Sequence, residues 1–487
     1  MKGVPFDYAK YAACMFLVYV STLLVYRYFI HTLSHIPGPF LAKFTYLYEW
    51  YFDLYLDGQF TFQLEELHRK FGPVVRINPD EAHIYDPDLL ESVFNQTNGR
   101  VDKPPQVAGA FGPYPATIGT ASHELHRLRR SALSPFFSKK SINDLAPVMW
   151  KPIHILCERL SLACKENQPV NMKYIFAAVT LDIINAYCFG HEPVNVCKLD
   201  FARKDFDDVD SFLKVSLINI HIPWAMRFTY SLPDGLNSIL APAMTNILEF
   251  RRGLSRQVEE IRNRKEMIQK VETKRTIFHE LLGSKLPVAE LTPDRLRDEA
   301  FSLVTAGSGT TAYVLRGTAY HVCANPEIRK RLYEELKVAM PEVISETIPS
   351  LSKLEQLPYL AAIVQEGLCL CYVIPAGSTV SLTATLTHQN EDIFPEPYTF
   401  RPERWLERNQ RLDRYLVPFN RGTRSCLGTN LARAEMFLIL AAVFRRFDFD
   451  VSQVSRERDI DVRHDYILGA QARDSPGLIV LPRNMET

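Results

Sequence analysis

The sequence has no Cys-x-x-Cys pair, no internal repeat, no low-complexity tract and no excess of either charge. With 56 basic and 56 acidic side chains over 487 residues the formal net charge is zero, so nothing in composition calls for nucleic acid or an acidic partner. The nine cysteines (Cys14, Cys157, Cys164, Cys188, Cys197, Cys323, Cys369, Cys371, Cys426) are odd in number and scattered. That pattern predicts reduced thiols in a cytosolic milieu and argues against a disulfide framework. Composition never shifts enough to mark a second globular domain. The expected organisation is a membrane anchor over residues 1–35 and one domain over 36–487.

The anchor is predicted from Tyr11 to Tyr26, which carries no charge; extended to Ile30 it spans about 30 Å as a helix, enough for a hydrocarbon core. Its tyrosines suit an interfacial belt, Arg27 can reach the interface, and no small-x-small cleavage site follows. Ile36-Pro-Gly-Pro39 is a stiff, helix-incompatible hinge. Gly72–Asn78 and Ala82–Tyr85, split by Pro79-Asp-Glu, predict a β-hairpin. The pattern from Ser138 to Lys270 is mostly helical. A long helix is predicted to start at Thr292-Pro-Asp, with the Thr292 hydroxyl as cap, and to stop at Asn325-Pro326. In its middle lies Ala306-Gly-Ser-Gly-Thr-Thr311, where two glycines cost about 2 kcal/mol relative to alanine. They mark either a close helix crossing or a local widening against a ligand.

The most informative run is Phe419-Asn-Arg-Gly-Thr-Arg-Ser-Cys-Leu-Gly428. It sets Cys426 in an arginine-rich loop before a helical segment, Leu427 to Arg445. A thiolate is favoured by nearby positive charge, here expected from Arg421 and Arg424, and by a helix N-terminus. Gly422 and Gly428 are expected to let the backbone turn tightly beside a flat, bulky ligand. Phe419, Gly422, Arg424, Cys426 and Gly428 fit the spacing Phe-x-x-Gly-x-Arg-x-Cys-x-Gly. This resembles the haem-ligating signature of the cytochrome P-450 family, the haem-thiolate monooxygenases.

Further stretches resemble the family in its own order, from about residue 36 to 487. The central Ala306–Thr311 segment resembles its oxygen-activating stretch, with Thr310 on the family's threonine and Gly309 where an acid is common. Ser122–Arg130, by default a solvated basic helix face, resembles the Trp-x-x-x-Arg element that pairs with a haem propionate. Arg130 falls on the arginine and His126 on the tryptophan. Glu366 matches the acid of Glu-x-x-Arg, and Pro402-Glu-Arg-Trp405 supplies Arg404. The helix arginine is replaced by Cys369, however, and Glu366 stands only nine residues before Pro375, so a substrate-facing turn and a strand pair are missing. A buried Glu366 is therefore expected to keep Arg404 but to sit in a half-satisfied network.

The resemblance implies a mainly α fold with a small β-rich lobe, preceded by the transmembrane helix. It implies haem b (iron protoporphyrin IX), with Cys426 as axial iron ligand and Arg424, Arg130 and His126 on the propionates. Thr310 would order water, and Glu366 and Arg404 would be structural. Electrons would come from NADPH through cytochrome P-450 reductase, with cytochrome b5 as a further donor, at the endoplasmic reticulum membrane with a cytosolic catalytic domain. The reaction would hydroxylate or epoxidise an apolar small molecule. Thr276–Leu282, Arg127–Phe137 and Val373–Gly377 resemble fungal secondary-metabolism members of the trichodiene oxygenase kind, which implies a terpenoid. Gln106–Gly112 would roof the pocket. Two readings of the short interval after Glu366 stay open: a lost coding stretch, or a haem-binding product impaired in turnover.

Overall fold

In the computed structural model of the chain, described over residues 5–89, 101–111, 116–240, 242–267, 276–342, 349–370, 380–381, 383–407 and 410–485, the fold is organised around one long helix. Gly112 and the junction from residue 371 to 379 lie outside the described residues. Helices named below are α1 (Pro5–Val25), α2 (His123–Leu133), α3 (Lys139–Glu166), α4 (Met172–Phe189), α5 (Pro242–Met267), α6 (Pro293–Ala324), α7 (Pro358–Leu370) and α8 (Thr429–Arg446).

The central helix is α6. Its 32 residues span about 48 Å at 1.5 Å per residue. Pro293 occupies its first turn as expected, but the Thr292 side chain makes no capping bond. At the other end Asn325 stops it and caps the following helix by accepting from the amides of Glu327 and Ile328. Around α6 pack α4, α5, α7 and α8, and α3 packs against α4 and α8. Ile175, Phe176 and Val179 of α4, Val304, Ala312 and Leu315 of α6, and Leu438, Ile439 and Val443 of α8 share one apolar cluster. Helix α4 is apolar on every side because it is surrounded, which is how a core helix differs from an amphipathic surface helix. It is apolar enough to cross a bilayer, yet 78% of it is buried inside the protein.

Among the described residues, three small sheets lie outside this bundle. Strands β1 (Val74–Asn78) and β2 (Glu81–Ile84) form the expected antiparallel hairpin, and β4 (Val380–Ser381) joins β2 in parallel with Ala82 opposite Val380. Strand β8 (Ile479–Asn484) lies between β3 (Val170–Asn171) and β5 (Phe447–Asp450). A short antiparallel pair, β6 (His464–Asp465) and β7 (Gly469–Ala470), completes the set.

At the N-terminus, Tyr8–Ile30 is a candidate membrane span with none of its most apolar stretch buried. Its end is tied to the domain. Arg27 donates to the Phe44 carbonyl, and its own carbonyl accepts from the buried Arg76 at 3.0 Å. The proline hinge docks on β1: the Arg76 amide donates to Pro37 O at 2.7 Å, and a Cβ on Gly38 would lie 2.2 Å from Arg76 O. Glycine is obligatory there because two backbones touch.

Candidate active site

The loop before α8 is closed by the Cys426 amide, which donates to Phe419 O at 2.7 Å. Asn420 and Gly422 adopt φ of 57° and 73°, and a short 3-10 turn follows from Gly422 to Arg424. Gly422 therefore performs the tight turn expected of it. Gly428 does not: its φ is −83°, and an added Cβ would sit 3.9 Å from Cys426 Sγ. Its missing side chain leaves the flank of the sulfur clear.

Cys426 is solvent-accessible although it lies deep in the protein, so it lines a concavity. Burial raises its thiol pKa, while the Gly428 amide, the Arg130 charge and the Thr429 hydroxyl pull it back. The charge acting on the sulfur was expected from Arg421 and Arg424 and comes instead from Arg130 of α2. Arg421 turns away to the carbonyls of Asp413 and Arg414 at 3.3 and 2.5 Å. Arg424 spans to the chain before α2, donating to the carbonyls of Thr120 (2.7 Å), Ala121 (2.8 Å) and Val101 (3.3 Å). Arg130 donates to Ser425 O at 2.6 Å. Arg130 thus braces the loop through the loop's own backbone, and Arg424 ties the loop to the backbone of the chain before α2.

Helix α2 starts with the Ser122 hydroxyl accepting from the Leu125 amide. It is not the solvated basic face expected by default. Arg129 is buried and forms a two-pronged ion pair with Glu290 (2.6 and 3.1 Å), which the sequence reading missed. His126 is buried too, and its pKa is held down to about 3 by burial and by Arg424, Arg130 and Lys103. Lys103, also unforeseen, is lowered to about 8 by burial and Arg424. The carboxylate that acts on Arg424, Asp102, already accepts from the His123 amide at 2.7 Å. Arg424 Nε is buried without a hydrogen-bond partner among the described residues. Positive charge is therefore concentrated beside an accessible sulfur, and one donor is left over. A flat dianion that could also bond sulfur through a metal fits this set.

Helix α6 is α-helical through Ala306–Thr311. Its two glycines differ. A Cβ on Gly307 would approach Ile184 of α4 at 3.0 Å, and nearby Thr180 donates to Ser308 O at 3.0 Å, so Gly307 serves a close helix crossing. A Cβ on Gly309 would meet nothing within 4 Å. Ala306 is exposed and Thr310 half-buried, whereas Val304, Ser308 and Thr311 are buried, so one side of this stretch faces open space. The Thr310 hydroxyl donates to Ala306 O at 2.8 Å.

The half-satisfied network expected at Glu366 is not found. Glu366 is 2% exposed, pairs with Arg404 Nε at 3.1 Å, and accepts from the Arg401 amide (2.7 Å) and Trp405 Nε1 (2.6 Å). Burial raises its pKa to about 6 against the pull of Arg404. Arg404 also donates to the carbonyls of Pro395, Glu396 and Thr399. Trp405, beside Arg404 in the Pro402–Trp405 segment, gives Glu366 a second side-chain donor. Cys369 packs in an apolar cluster with Ala384, Phe394 and Val417, and its carbonyl accepts from His388 Nδ1 at 3.1 Å.

A haem-thiolate type of oxygenase is the class that this helical fold and cysteine loop define, and the comparisons agree. The Cytochrome P450 family model matches residues 44–371 and 371–474, two segments that meet inside the shortened interval. The chain is 37% identical to a cytochrome P450 monooxygenase of Ascocoryne sarcoides, with 96% of each chain covered. It is 37% identical to another of Cochliobolus heterostrophus over 95% of each chain, and 35% identical to an N-acetyltryptophan 6-hydroxylase of Emericella nidulans over 95% of each. This chain belongs to the cytochrome P450 family. It is accordingly an oxidoreductase of the monooxygenase kind, a haem-iron protein that takes electrons from a redox partner and acts on a small molecule.

Proposed function

We propose that Cys426 is the axial ligand of haem b, and that Arg130, Arg424 and His126 hold its propionates while Phe419, Gly422 and Gly428 shape the loop around it. The observation that carries this is the cluster of cations beside a deep yet accessible sulfur. When bound, the haem activates dioxygen and inserts one oxygen atom into substrate. The chain's own residues orient the group, exclude bulk water, and hold a water at the Thr310 hydroxyl oxygen, whose own proton is committed to Ala306 O. Glu366 and Arg404 fix the segment leading to the loop.

NADPH-cytochrome P450 reductase, with cytochrome b5 as a second donor, supplies the electrons. The apolar Tyr8–Ile30 segment and the odd, scattered set of nine cysteines support an endoplasmic reticulum protein with its catalytic domain in the cytosol. The substrate is an apolar molecule of fungal secondary metabolism, hydroxylated or epoxidised. The runs similar to trichodiene oxygenase favour a terpenoid. The relatives named as hydroxylases of tryptophan and of N-acetyltryptophan favour an indole.

A second reading, haem binding with impaired turnover, has its own support. The alignment with the Ascocoryne relative runs over 499 positions, more than the chain's 487 residues, so that relative carries residues this chain lacks. The test is NADPH consumption by the reductase-coupled holoenzyme with trichodiene and with N-acetyltryptophan. Product from either supports the monooxygenase. A thiolate spectrum with NADPH spent only on peroxide supports the impaired product.

A further inference from the structure

We propose that a cavity on the hairpin side of the fold binds an organic cation, a protonated amine carried on an apolar body. The proposal goes beyond the monooxygenase reading and does not depend on it. The cavity, about 330 Å³, lies between Tyr46–Asp53, the β1–β2 hairpin, the end of the helix Arg203–His221 and the β6–β7 turn. Its wall carries five carboxylates, from Glu49, Asp53, Asp80, Glu81 and Asp465, and no lysine or arginine among the described residues. His221 ends its helix there, and the partial negative charge of a helix C-terminus adds to the same sign.

Most of these acids are engaged within the chain. His221 Nε2 lies 2.8 Å from Asp53, Asp465 accepts from the Thr61 hydroxyl at 2.5 Å and the Ile467 amide at 2.9 Å, and Asp80 accepts from Tyr46. Glu49 differs. It is 9% exposed, and Asn78 Nδ2 donates to its Oε2 at 3.0 Å, while no described residue donates to its Oε1. That oxygen belongs to a side chain lining the cavity, where oxygens of Glu49 and Asp53 and a nitrogen of His221 lie within 4.8 Å of one another. Burial, with Glu81 and Asp53 close by, raises the Glu49 carboxyl to about 8, and His221 draws it down. A cation beside Glu49 relieves that excess of acid.

The rest of the wall decides which cation. Leu64, Val107, Leu217 and Ile220 line the same space. A small divalent ion keeps oxygen ligands and water around it and has no use for such a surface. An amine fills both halves: its N–H groups donate to Glu49 and Asp53 while its carbon body covers the aliphatic side chains.

Isothermal titration calorimetry of the full-length, haem-loaded protein near neutral pH compares phenylbutylamine with phenylbutanol, which has a similar shape without the charge. The amine should bind roughly tenfold more tightly or better, as a charge-assisted hydrogen bond predicts. Glu49→Gln keeps the side chain's shape, removes its charge and should bring the two ligands to similar affinity. Asp53→Asn serves if that variant does not fold. Equal affinities in wild type, or a preference for the amine that survives in both variants, overturn the proposal; the second is what coordination of the amine to haem iron would give. Zn²⁺ binding that Glu49→Gln and His221→Ala abolish, without a preference for the amine, would assign the cluster to a metal and overturn it too. A missing thiolate spectrum would sink the monooxygenase reading and leave this comparison of ligands intact.

Discussion

The cysteine loop and the Glu366 node both gather arginines, and they dispose of the charge in opposite ways. At the node, Arg404 meets a carboxylate and four backbone carbonyls, and Glu366 accepts three hydrogen bonds. Its polar groups are satisfied inside the chain, as a structural brace requires. At the loop, Arg130, Arg424 and Lys103 converge on His126 beside Cys426, and Arg424 Nε finds no partner among the described residues. Like charges held together in a concavity destabilise the chain alone and favour an anionic ligand. The contrast separates a site built for stability from one built to bind.

The sharpest way to break this comparison is to remove one partner from each side. Arg404→Ala should cost about 3–5 kcal/mol by leaving Glu366 buried and unpaired. Denaturant unfolding reads that loss, and a loss below 1 kcal/mol would mean that Trp405 and the Arg401 amide suffice. Arg130→Gln should move stability less and haem retention more. A charge-assisted hydrogen bond worth about 1.5–3 kcal/mol corresponds to roughly a tenfold or greater rise in haem dissociation. Haem transfer to an apo-globin acceptor measures it, and equal rates would remove Arg130 from the cradle.

The same contrast recurs within α6 on a smaller scale. Gly307→Ala drives a methyl against Ile184 and should destabilise by about 1–3 kcal/mol. Gly309→Ala enters open space and should stabilise the helix by up to about 1 kcal/mol while crowding the water proposed beside Thr310. Thermal midpoints of the two variants should therefore move in opposite directions.

Acid sharpens the comparison at the Glu366 side. His388 accepts from the Val417 amide and donates to Cys369 O, a pairing only the neutral ring can make, and burial lowers its pKa to about 4. His83 and His321 are lowered to about 3 for the same reason. The folded state then binds fewer protons than the unfolded state, whose histidines titrate near 6.5. Stability from these groups is full above about pH 6.5 and is lost as pH falls toward 4. Unfolding midpoints across that window should fall with pH, and less steeply in His388→Gln.

The loop, the hairpin, the N-terminal apolar helix and the central helix were legible because each is a local pattern: spacing, alternation, a run of apolar residues, a proline in the first turn. What escaped was set by tertiary contacts. No local signal says that Arg130 would supply the charge near Cys426 while Arg421 turns away, because the two arginines come from distant stretches. The partners of Glu366 were only half visible. Arg404 stood in a motif, whereas Trp405 and the Arg401 amide satisfy the acid through a fold that spacing does not encode. The two glycines of α6 were distinguishable only once Ile184 lay against one of them.

The most direct measurement is the carbon monoxide difference spectrum of the reduced, haem-loaded protein, taken for wild type and Cys426→Ala. A red-shifted Soret band of the thiolate type in wild type, gone in the variant, is the predicted result. The same band surviving in Cys426→Ala would contradict the account, since the iron would then be held by another group.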